Sequence, residues 1–160
     1  MEAITNQEHE PVQLKEATVT DIPTLLKLEQ SVAGTNVYSP MLEKSDWTEE
    51  LQTNKVYLIE KNNVVVGNLS YERKSSDHVY ISGLMVIPEF QGQGVAREVL
   101  TRLLKELKDV KRVDLVTHPE NQKALQLYQS LGFIVESRKE NYFGDGEPRL
   151  ILANKKSGQV

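Results

Sequence analysis

The chain of 160 residues contains no cysteine. It therefore forms no disulfide, binds no metal through thiolates and has no cysteine nucleophile. No apolar run is long enough to span a membrane, and the polar opening MEAITNQEHEP lacks the basic and apolar regions of a secretion signal. We therefore expect a cytoplasmic protein.

The chain also lacks an excess of positive charge. Its 19 Lys and Arg residues and 23 Asp and Glu residues give a net charge of -4. This balance argues against a general nucleic-acid-binding surface and against attraction to anionic membranes. The length suits one compact domain with its own core. We expect a monomer or homodimer with no nucleic acid or membrane partner, and we assign no metal site.

The most informative stretch is residues 78–109, and it begins with a β pattern over 78–87. Both faces of the predicted strand are apolar, with Val79, Ile81, Met85 and Ile87 on one and Tyr80, Leu84 and Val86 on the other. This pattern indicates a strand covered on both sides. Pro88 ends it, because proline cannot donate to a β-ladder.

The same stretch ends with a helical pattern. Apolar residues recur at helical spacing on one stripe, namely Val95, Ala96, Val99, Leu100, Leu103, Leu104 and Leu107. Between strand and helix lies the run Gln91-Gly92-Gln93-Gly94-Val95-Ala96. Its glycines leave room for several backbone N–H groups to converge at the helix N-terminus, where a phosphate or pyrophosphate binds well.

Two well-known phosphate loops do not fit this run. A nucleotide P-loop needs Lys and then Ser or Thr after its last glycine, where this chain has Val95 and Ala96. A dinucleotide fingerprint would need glycine where this chain has Arg97. On these residues alone, an ordinary strand-to-helix turn is an equally good interpretation.

The remaining patterns predict further strands and helices on both sides of this centre. Strands are predicted over 12–17, 56–61, 64–74, 112–117, 133–137 and 149–153, and helices over 20–31, 45–51 and 121–131. Gly132 suits the residue that follows the last helix. Together these elements predict an α/β fold with a mixed sheet.

Two blocks of sequence resemble the GNAT superfamily of N-acetyltransferases. The first is Val86-Ile87-Pro88 followed by Gln91-x-x-Gly94-x-Ala96, and the second is Asn121, Ala124, Tyr128 and Leu131-Gly132-Phe133. Their order and separation are similar to those of the superfamily, and the chain looks most like its ribosomal-protein and N-terminal acetyltransferases. The resemblance covers 12–154 and is clearest over 83–133.

The resemblance implies a single-domain α/β (α+β) fold. Its mixed, mostly antiparallel sheet would have about six or seven strands, splayed at two central parallel strands that we place at 78–87 and 112–117, with about four helices. The acetyltransferase domain would occupy 12–154. Residues 1–11 would form a flexible tail, and 155–160 a frayed C-terminus.

The resemblance also implies acetyl-CoA as the cofactor. The turn beginning at Gln91 would bind its pyrophosphate through the backbone amides of Gly92, Gln93, Gly94, Val95, Ala96 and Arg97. The pantetheine arm would contact the backbone of Leu84, Met85 and Val86, and also Asn121 and Ala124. Tyr128 would lie beside the thioester sulfur and protonate the departing thiolate.

The implied reaction is direct acetyl transfer to a primary amine, and the lack of cysteine is consistent with this. A peptide α-amine is the leading acceptor, while a polyamine, another small amine or a lysine side chain remains open. Candidate acceptor-binding residues are Glu29, Tyr38, Tyr142 and Phe143. A non-catalytic acyl-CoA-binding module is the alternative from another functional class.

The sequence assigns no general base. Related N-terminal acetyltransferases place a glutamate five residues before the helix asparagine, where this chain has Val116. His118 and Glu120 lie nearby in sequence, and Glu29 could instead recognise a cation. We expect each of these to serve as an ordinary structural or surface residue unless the fold brings it to the site.

Overall fold

The computed structural model describes residues 11–35 and 37–156, so most of the predicted flexible termini (1–10 and 157–160) lies outside the described residues. Seven strands and four α-helices follow one another in the order β1 (Gln13–Glu16), α1 (Ile22–Gln30), α2 (Lys44–Thr53), β2 (Lys55–Lys61), β3 (Val64–Ser75), β4 (His78–Val86), α3 (Val95–Glu106), β5 (Arg112–Thr117), α4 (Gln122–Ser130), β6 (Ile134–Lys139) and β7 (Arg149–Lys155). None of these described helices is both long and apolar enough to cross a bilayer.

The strands form one sheet in the order β1-β2-β3-β4-β5-β7-β6. All neighbours are antiparallel except β4 and β5, which are parallel and central. The predicted mixed sheet with two central parallel strands is therefore confirmed. The last strand extends through Lys155, beyond the predicted end at residue 153 and into the segment predicted to be frayed. The Lys156 amide also donates to the Lys111 carbonyl.

Two hydrophobic cores cover the two faces of the sheet. The larger one contains Val99, Leu100 and Leu103, which are the buried stripe of α3, and partly buried residues of α4 pack against it. The smaller one is built around Leu25 and Leu28 of α1 and Trp47 of α2. The helical pattern of α3 predicted this stripe correctly.

The central strands separate after a short contact. Strands β4 and β5 pair only over His78–Ile81 and Arg112–Leu115. Beyond that point β4 continues along β3, whereas β5 continues along β7. A wedge-shaped gap, called the split below, therefore opens between the C-terminal halves of β4 and β5.

A β-bulge accompanies the split. Ser70 of β3 pairs with Gly83, but the next residue of β3 pairs with Ile81, so Ser82 is an extra residue on β4. The bulge reverses the alternation of the strand. The prediction that Ile81 and Met85 share a face is therefore wrong, because Ile81 packs in the larger core and Met85 in the smaller one.

Candidate functional site

Two cavities meet at the split. The first, the loop cavity, has a volume of about 350 Å³ and lies between the end of β4, the turn at 90–97 and the start of α4. The second, the inner cavity, has a volume of about 150 Å³ and lies between the end of α1, the loop at 37–41, the split strands and β7. Five residues line both, and they are Tyr38, Leu84, Met85, Asn121 and Tyr128.

The turn before α3 presents unpaired backbone donors to the loop cavity. Gly92 and Gly94 have φ values of 80° and 83°, which glycine adopts without strain. The first bond of the helix runs from the Glu98 amide to the Gly94 carbonyl. The preceding amides therefore have no partner within the helix, and no side chain at the cap position accepts from them. These donors and the positive end of the helix dipole give the turn the geometry and charge that favour an anion.

The charges around the loop cavity also favour an anion. Its wall includes Arg97 and Lys123, and no carboxylate is among the described residues that line it. Both cations lie on exposed first turns of helices, Arg97 on α3 and Lys123 on α4. This combination suits a diphosphate.

The two glutamines of the turn have different roles. The side-chain amide of Gln91 donates to the Val86 carbonyl at 2.8 Å, which ties the turn to the end of β4. Gln93 is not in the wall of the loop cavity. Its side chain instead donates to the Glu89 carbonyl and accepts from Lys61, both at 3.3 Å. Gln93 can therefore contribute to the site only through its backbone.

The edge of β4 offers a second set of backbone groups. Leu84, Met85 and Val86 all line the loop cavity. Among the described strands, none pairs with this edge of β4 after Ile81. The side chain of Gln91 donates to the Val86 carbonyl at the end of the strand. An extended ligand with amide groups can dock there in the manner of an added strand.

Tyr128 and Asn121 bring α4 to the junction of the cavities. The Asn121 side chain accepts from the Ala124 amide at 3.3 Å and so caps the helix while its residue lines both walls. Tyr128 lies two turns further along, where burial, with a smaller effect from Tyr38, raises its pKa to about 12. Its phenol is therefore protonated near neutral pH and can donate a proton. Ala124 lies in the wall of the loop cavity.

Glu29 is a buried carboxylate in the wall of the inner cavity. One of its oxygens accepts from the Met41 amide at 3.0 Å, and the other from the Asn68 side chain at 3.1 Å. Burial raises its pKa above the ordinary value despite these hydrogen bonds, and the nearby charge of Glu50 adds to the rise. Among the described residues that line this cavity, Glu29 is the sole carboxylate.

A second carboxylate, that of Glu50, is hydrogen-bonded to a serine in the wall of the inner cavity. Ser82, at the bulge, donates to Glu50 at 2.6 Å and lies 3.0 Å from the hydroxyl of Ser70. Asn54 donates to the same oxygen of Glu50 at 2.9 Å. Both serines line the inner cavity, whereas Glu50 lies behind them.

His118 also lines the inner cavity, but its ring is fully engaged. Its Nδ1 accepts from the Glu120 amide at 3.0 Å, which places the ring proton on Nε2. That nitrogen then donates to the Glu147 carboxylate at 2.8 Å. The geometry gives His118 a structural role, and Glu120 lies in the wall of neither cavity.

The connection between β6 and β7 supplies the outer wall. Phe143 lines the inner cavity as expected, although about half of its surface is exposed. Tyr142 lies outside that wall and packs edge-on against Phe143 at 4.8 Å between ring centroids, and its contact with the acceptor stays a prediction. Glu29 and Tyr38 lie in the wall.

Sequence reasoning missed several residues of the site. Asn68 and Ser70 are polar residues within the buried, mainly apolar first half of β3, and that was a readable signal. Ser82 and Arg149 had none, because their positions depend on contacts between distant elements. Lys123 was overlooked although it lies on α4, two residues after Asn121. Arg149 is 98% buried and lines the inner cavity.

Solved structures share this fold at low sequence identity. The ribosomal-protein-S18-alanine N-acetyltransferase from Escherichia coli superposes with a TM-score of 0.77 at 22% identity, covering 92% of this chain and 97% of that one. A GNAT family acetyltransferase from Elizabethkingia anophelis with acetyl-CoA bound gives a TM-score of 0.69 at 19% identity, covering 92% of this chain and 99% of that one.

Characterised relatives are similar over part of the chain. The L-amino acid N-acyltransferase MnaT of Escherichia coli is 36% identical over 89 residues, which are 52% of each chain. The [ribosomal protein bS18]-alanine N-acetyltransferase of Escherichia coli is 34% identical over 82 residues, 48% of this chain and 55% of that one. The chain thus matches about half the length of these relatives.

The family model described as "Acetyltransferase (GNAT) family" matches residues 22–133. This range runs from the start of α1 to the residue before β6 and includes the split, the turn before α3 and Tyr128. It also covers more than half of the 160 residues. The chain therefore belongs to the GNAT family of acetyltransferases.

Proposed function

We propose that this chain transfers an acetyl group from acetyl-CoA directly to a primary amine held in the inner cavity. The observation that carries the proposal is the meeting of two unlike cavities at Tyr128. One is built for an anion, and the other contains the buried carboxylate Glu29. A donor and an acceptor bound in them would meet beside a phenol that can give up a proton.

The chain's own groups fit the parts of acetyl-CoA. The amides at the start of α3, with Arg97 and Lys123, would hold its diphosphate. The open edge of β4 at Leu84–Val86 would bind the amide groups of its pantetheine arm, with Asn121 and Ala124 opposite. When bound, acetyl-CoA supplies the acetyl group as a reactive thioester.

Glu29 is the proposed proton acceptor. An alkylamine is mostly protonated near neutral pH and must lose a proton before it can attack. A carboxylate with a raised pKa is a better base near neutrality than an ordinary surface carboxylate. Glu29 would take this proton, directly or through one water. As the amine nitrogen bonds to the acetyl carbon and the carbon–sulfur bond breaks, Tyr128 would protonate the sulfur. The second proton that the nitrogen loses on becoming an amide would return to the Tyr128 phenolate, directly or through water.

The acceptor we propose is the α-amine of a peptide, a protein or an amino acid. Two similar proteins carry names of this kind, one an L-amino acid acyltransferase and the other a ribosomal-protein alanine acetyltransferase. The inner cavity, at about 150 Å³, has room for one small residue at a time rather than for a folded surface. We propose a domain extending over 12–154, consistent with the resemblance.

The test is thiol release from acetyl-CoA with a panel of amino acids, short peptides and polyamines. We expect CoA release with at least one α-amine, and an equal amount of acetylated acceptor by mass spectrometry. Cofactor binding by calorimetry without transfer to any member of the panel would contradict catalysis and favour a non-catalytic acyl-CoA-binding module.

A further inference from the structure

We infer that the acceptor carries a carboxylate and that Arg149 binds it. The inference deepens the proposed function by naming a chemical class for the acceptor. It rests on the location of a guanidinium that the proposed transfer chemistry does not use.

Arg149 is a buried cation in the wall of the inner cavity. Only 2% of its surface is exposed, although arginine is rarely buried to this extent without several partners. It is the first residue of β7, and its neighbour Leu150 pairs with Thr117 at the end of β5. The guanidinium therefore lies on the β5–β7 side of the split.

The described contacts of Arg149 use a small part of its bonding capacity. One terminal nitrogen donates to Asp145 at 2.9 Å, and the other donates to the Pro148 carbonyl at 3.1 Å. The ring of Phe143 lies 5.1 Å from the centre of the guanidinium. Because a guanidinium has five N–H donors in a planar fork, these contacts leave donors for a further planar anion.

Its two polar partners also come from one short segment. Asp145 and Pro148 precede Arg149 in the connection from β6, and the Asp145 side chain is about one-third exposed (35%). The connection therefore fixes the orientation of the guanidinium while the cavity gives a ligand access to it. A second carboxylate could accept from the N–H donors that Asp145 and Pro148 leave open.

The opposite wall carries the opposite charge. Glu29 hydrogen-bonds Asn68 of β3, which places it on the β3–β4 side of the split. An acceptor with an amine near Glu29 and a carboxylate near Arg149 would thus be oriented across the split with its nitrogen near Tyr128. A polyamine would place a second cation near Arg149 and would be repelled.

Two sources can supply this carboxylate. One is the α-carboxylate of a free amino acid, and the other is an acidic side chain at the start of a peptide. Both present the same planar anion near a primary amine. The test therefore compares an amino acid with its carboxamide, and a peptide amide that begins with an acidic residue with its amide-side-chain counterpart.

The experiment measures kcat/KM for these pairs with the wild type and with Arg149→Gln, Arg149→Lys and Arg138→Gln. Arg138 is the matched control, because it belongs to β6, pairs with the exposed Glu140 and lies outside the inner cavity. We expect the wild type to prefer the carboxylate member of at least one pair by about tenfold or more. The pair that shows the preference identifies the source.

We expect Arg149→Gln to remove this preference by lowering kcat/KM for the carboxylate member about tenfold, with about twofold change or less for the neutral one. Arg149→Lys should restore part of the preference, and Arg138→Gln should leave it intact. An equal loss for both members in Arg149→Gln would show a purely structural arginine and overturn the inference. A wild type that shows no preference for the carboxylate member of either pair would also overturn the inference.

Calorimetric titration of the same pairs into the CoA-bound protein separates this inference from the proposed function. Preferential binding of the carboxylate member without turnover would contradict catalysis and support the role of Arg149. Turnover with equal binding and equal rates for both members would support catalysis and contradict the role of Arg149.

Discussion

Tyr128 is one of the five residues that line both cavities, and its raised pKa of about 12 keeps the phenol protonated. If it protonates the leaving thiolate, Tyr128→Phe should lower kcat by about 100-fold while CoA affinity changes by about threefold or less. Thiol-release kinetics and calorimetry measure the two quantities. Tyr57→Phe, in neither cavity, is the control. Equal losses in both quantities, or none, would remove the acid role.

Replacing Glu29 by glutamine should raise stability at neutral pH but lower activity. Burial raises its folded-state pKa, so the protonated form is favoured on folding. Its contribution to stability is therefore present below the ordinary carboxyl pKa and is lost as the pH rises through the raised value. We expect the melting temperature of Glu29→Gln, relative to wild type, to increase from about pH 4 to about pH 8.

The same substitution tests the proposed base. We expect Glu29→Gln to lower kcat/KM at least about tenfold near neutral pH. The deficit should shrink as the pH approaches the amine pKa, because the free amine then needs no base. Rate profiles for both proteins measure this effect, and a deficit that does not change with pH would assign Glu29 to binding or packing instead.

At the scale of the element, the start of α3 depends on a left-handed glycine. Gly94 has φ +83°, and a Cβ there would meet no atom within 4 Å, so alanine would introduce backbone strain without a clash. We expect Gly94→Ala to cost about 1–2 kcal/mol of stability and to weaken CoA binding about tenfold or more. Gly34→Ala is a matched control, since Gly34 has φ +92° and equal space. Equal CoA affinities in the two variants would contradict the role of the turn.

Elements built from local patterns were predictable from the sequence. The stripe of α3, the glycine after α4 and the parallel position of β4 and β5 follow from spacing, turn chemistry and family resemblance, and the structure agrees. The alternation of β4 was wrong beyond Ser82, because a bulge depends on how β3 pairs with it. The sequence of one strand does not show where its partner skips a residue, so the bulge at Ser82 could not be predicted from β4 alone.

The site was predictable to the same extent. Tyr128 and Asn121 lie at the junction of the cavities because one helix fixes their spacing, and Glu29 and Tyr38 lie in the wall of the inner cavity. Their roles in binding and catalysis stay predictions. Arg149 and the pair Ser82–Glu50 depend on contacts across the sheet, for which the sequence holds no local signal. Tyr142 packs against Phe143, which occupies the wall, and its contact with the acceptor stays a prediction.

At the scale of the whole molecule, ligand binding should be visible as stability. Acetyl-CoA would contact β4, α3 and α4 together, so it should bind the folded chain and not the unfolded one. At about 100 times its Kd, we expect a gain of about 2.7 kcal/mol and a rise of about 5–10 °C in Tm. Thermal scans with and without ligand measure this rise.

Added salt should reduce the shift, because the diphosphate contacts are charged. Lys123→Gln should reduce it at low salt more than at high salt. Lys44→Gln is a suitable control, since Lys44 starts α2 and lies outside both cavities. A shift insensitive to both salt and Lys123 would place the nucleotide elsewhere.

Because pairing between β4 and β5 ends early, hydrogen exchange along β4 should report whether a ligand is bound in the split. Among the described residues, the β4 amides that face the open edge beyond Ile81 have no strand partner, whereas Val79–Ile81 pair with β5. Deuterium uptake should therefore slow at residues 83–86 on ligand binding and stay nearly constant at 79–81. The open edge of β4 is thus the part of the sheet that a bound ligand would complete.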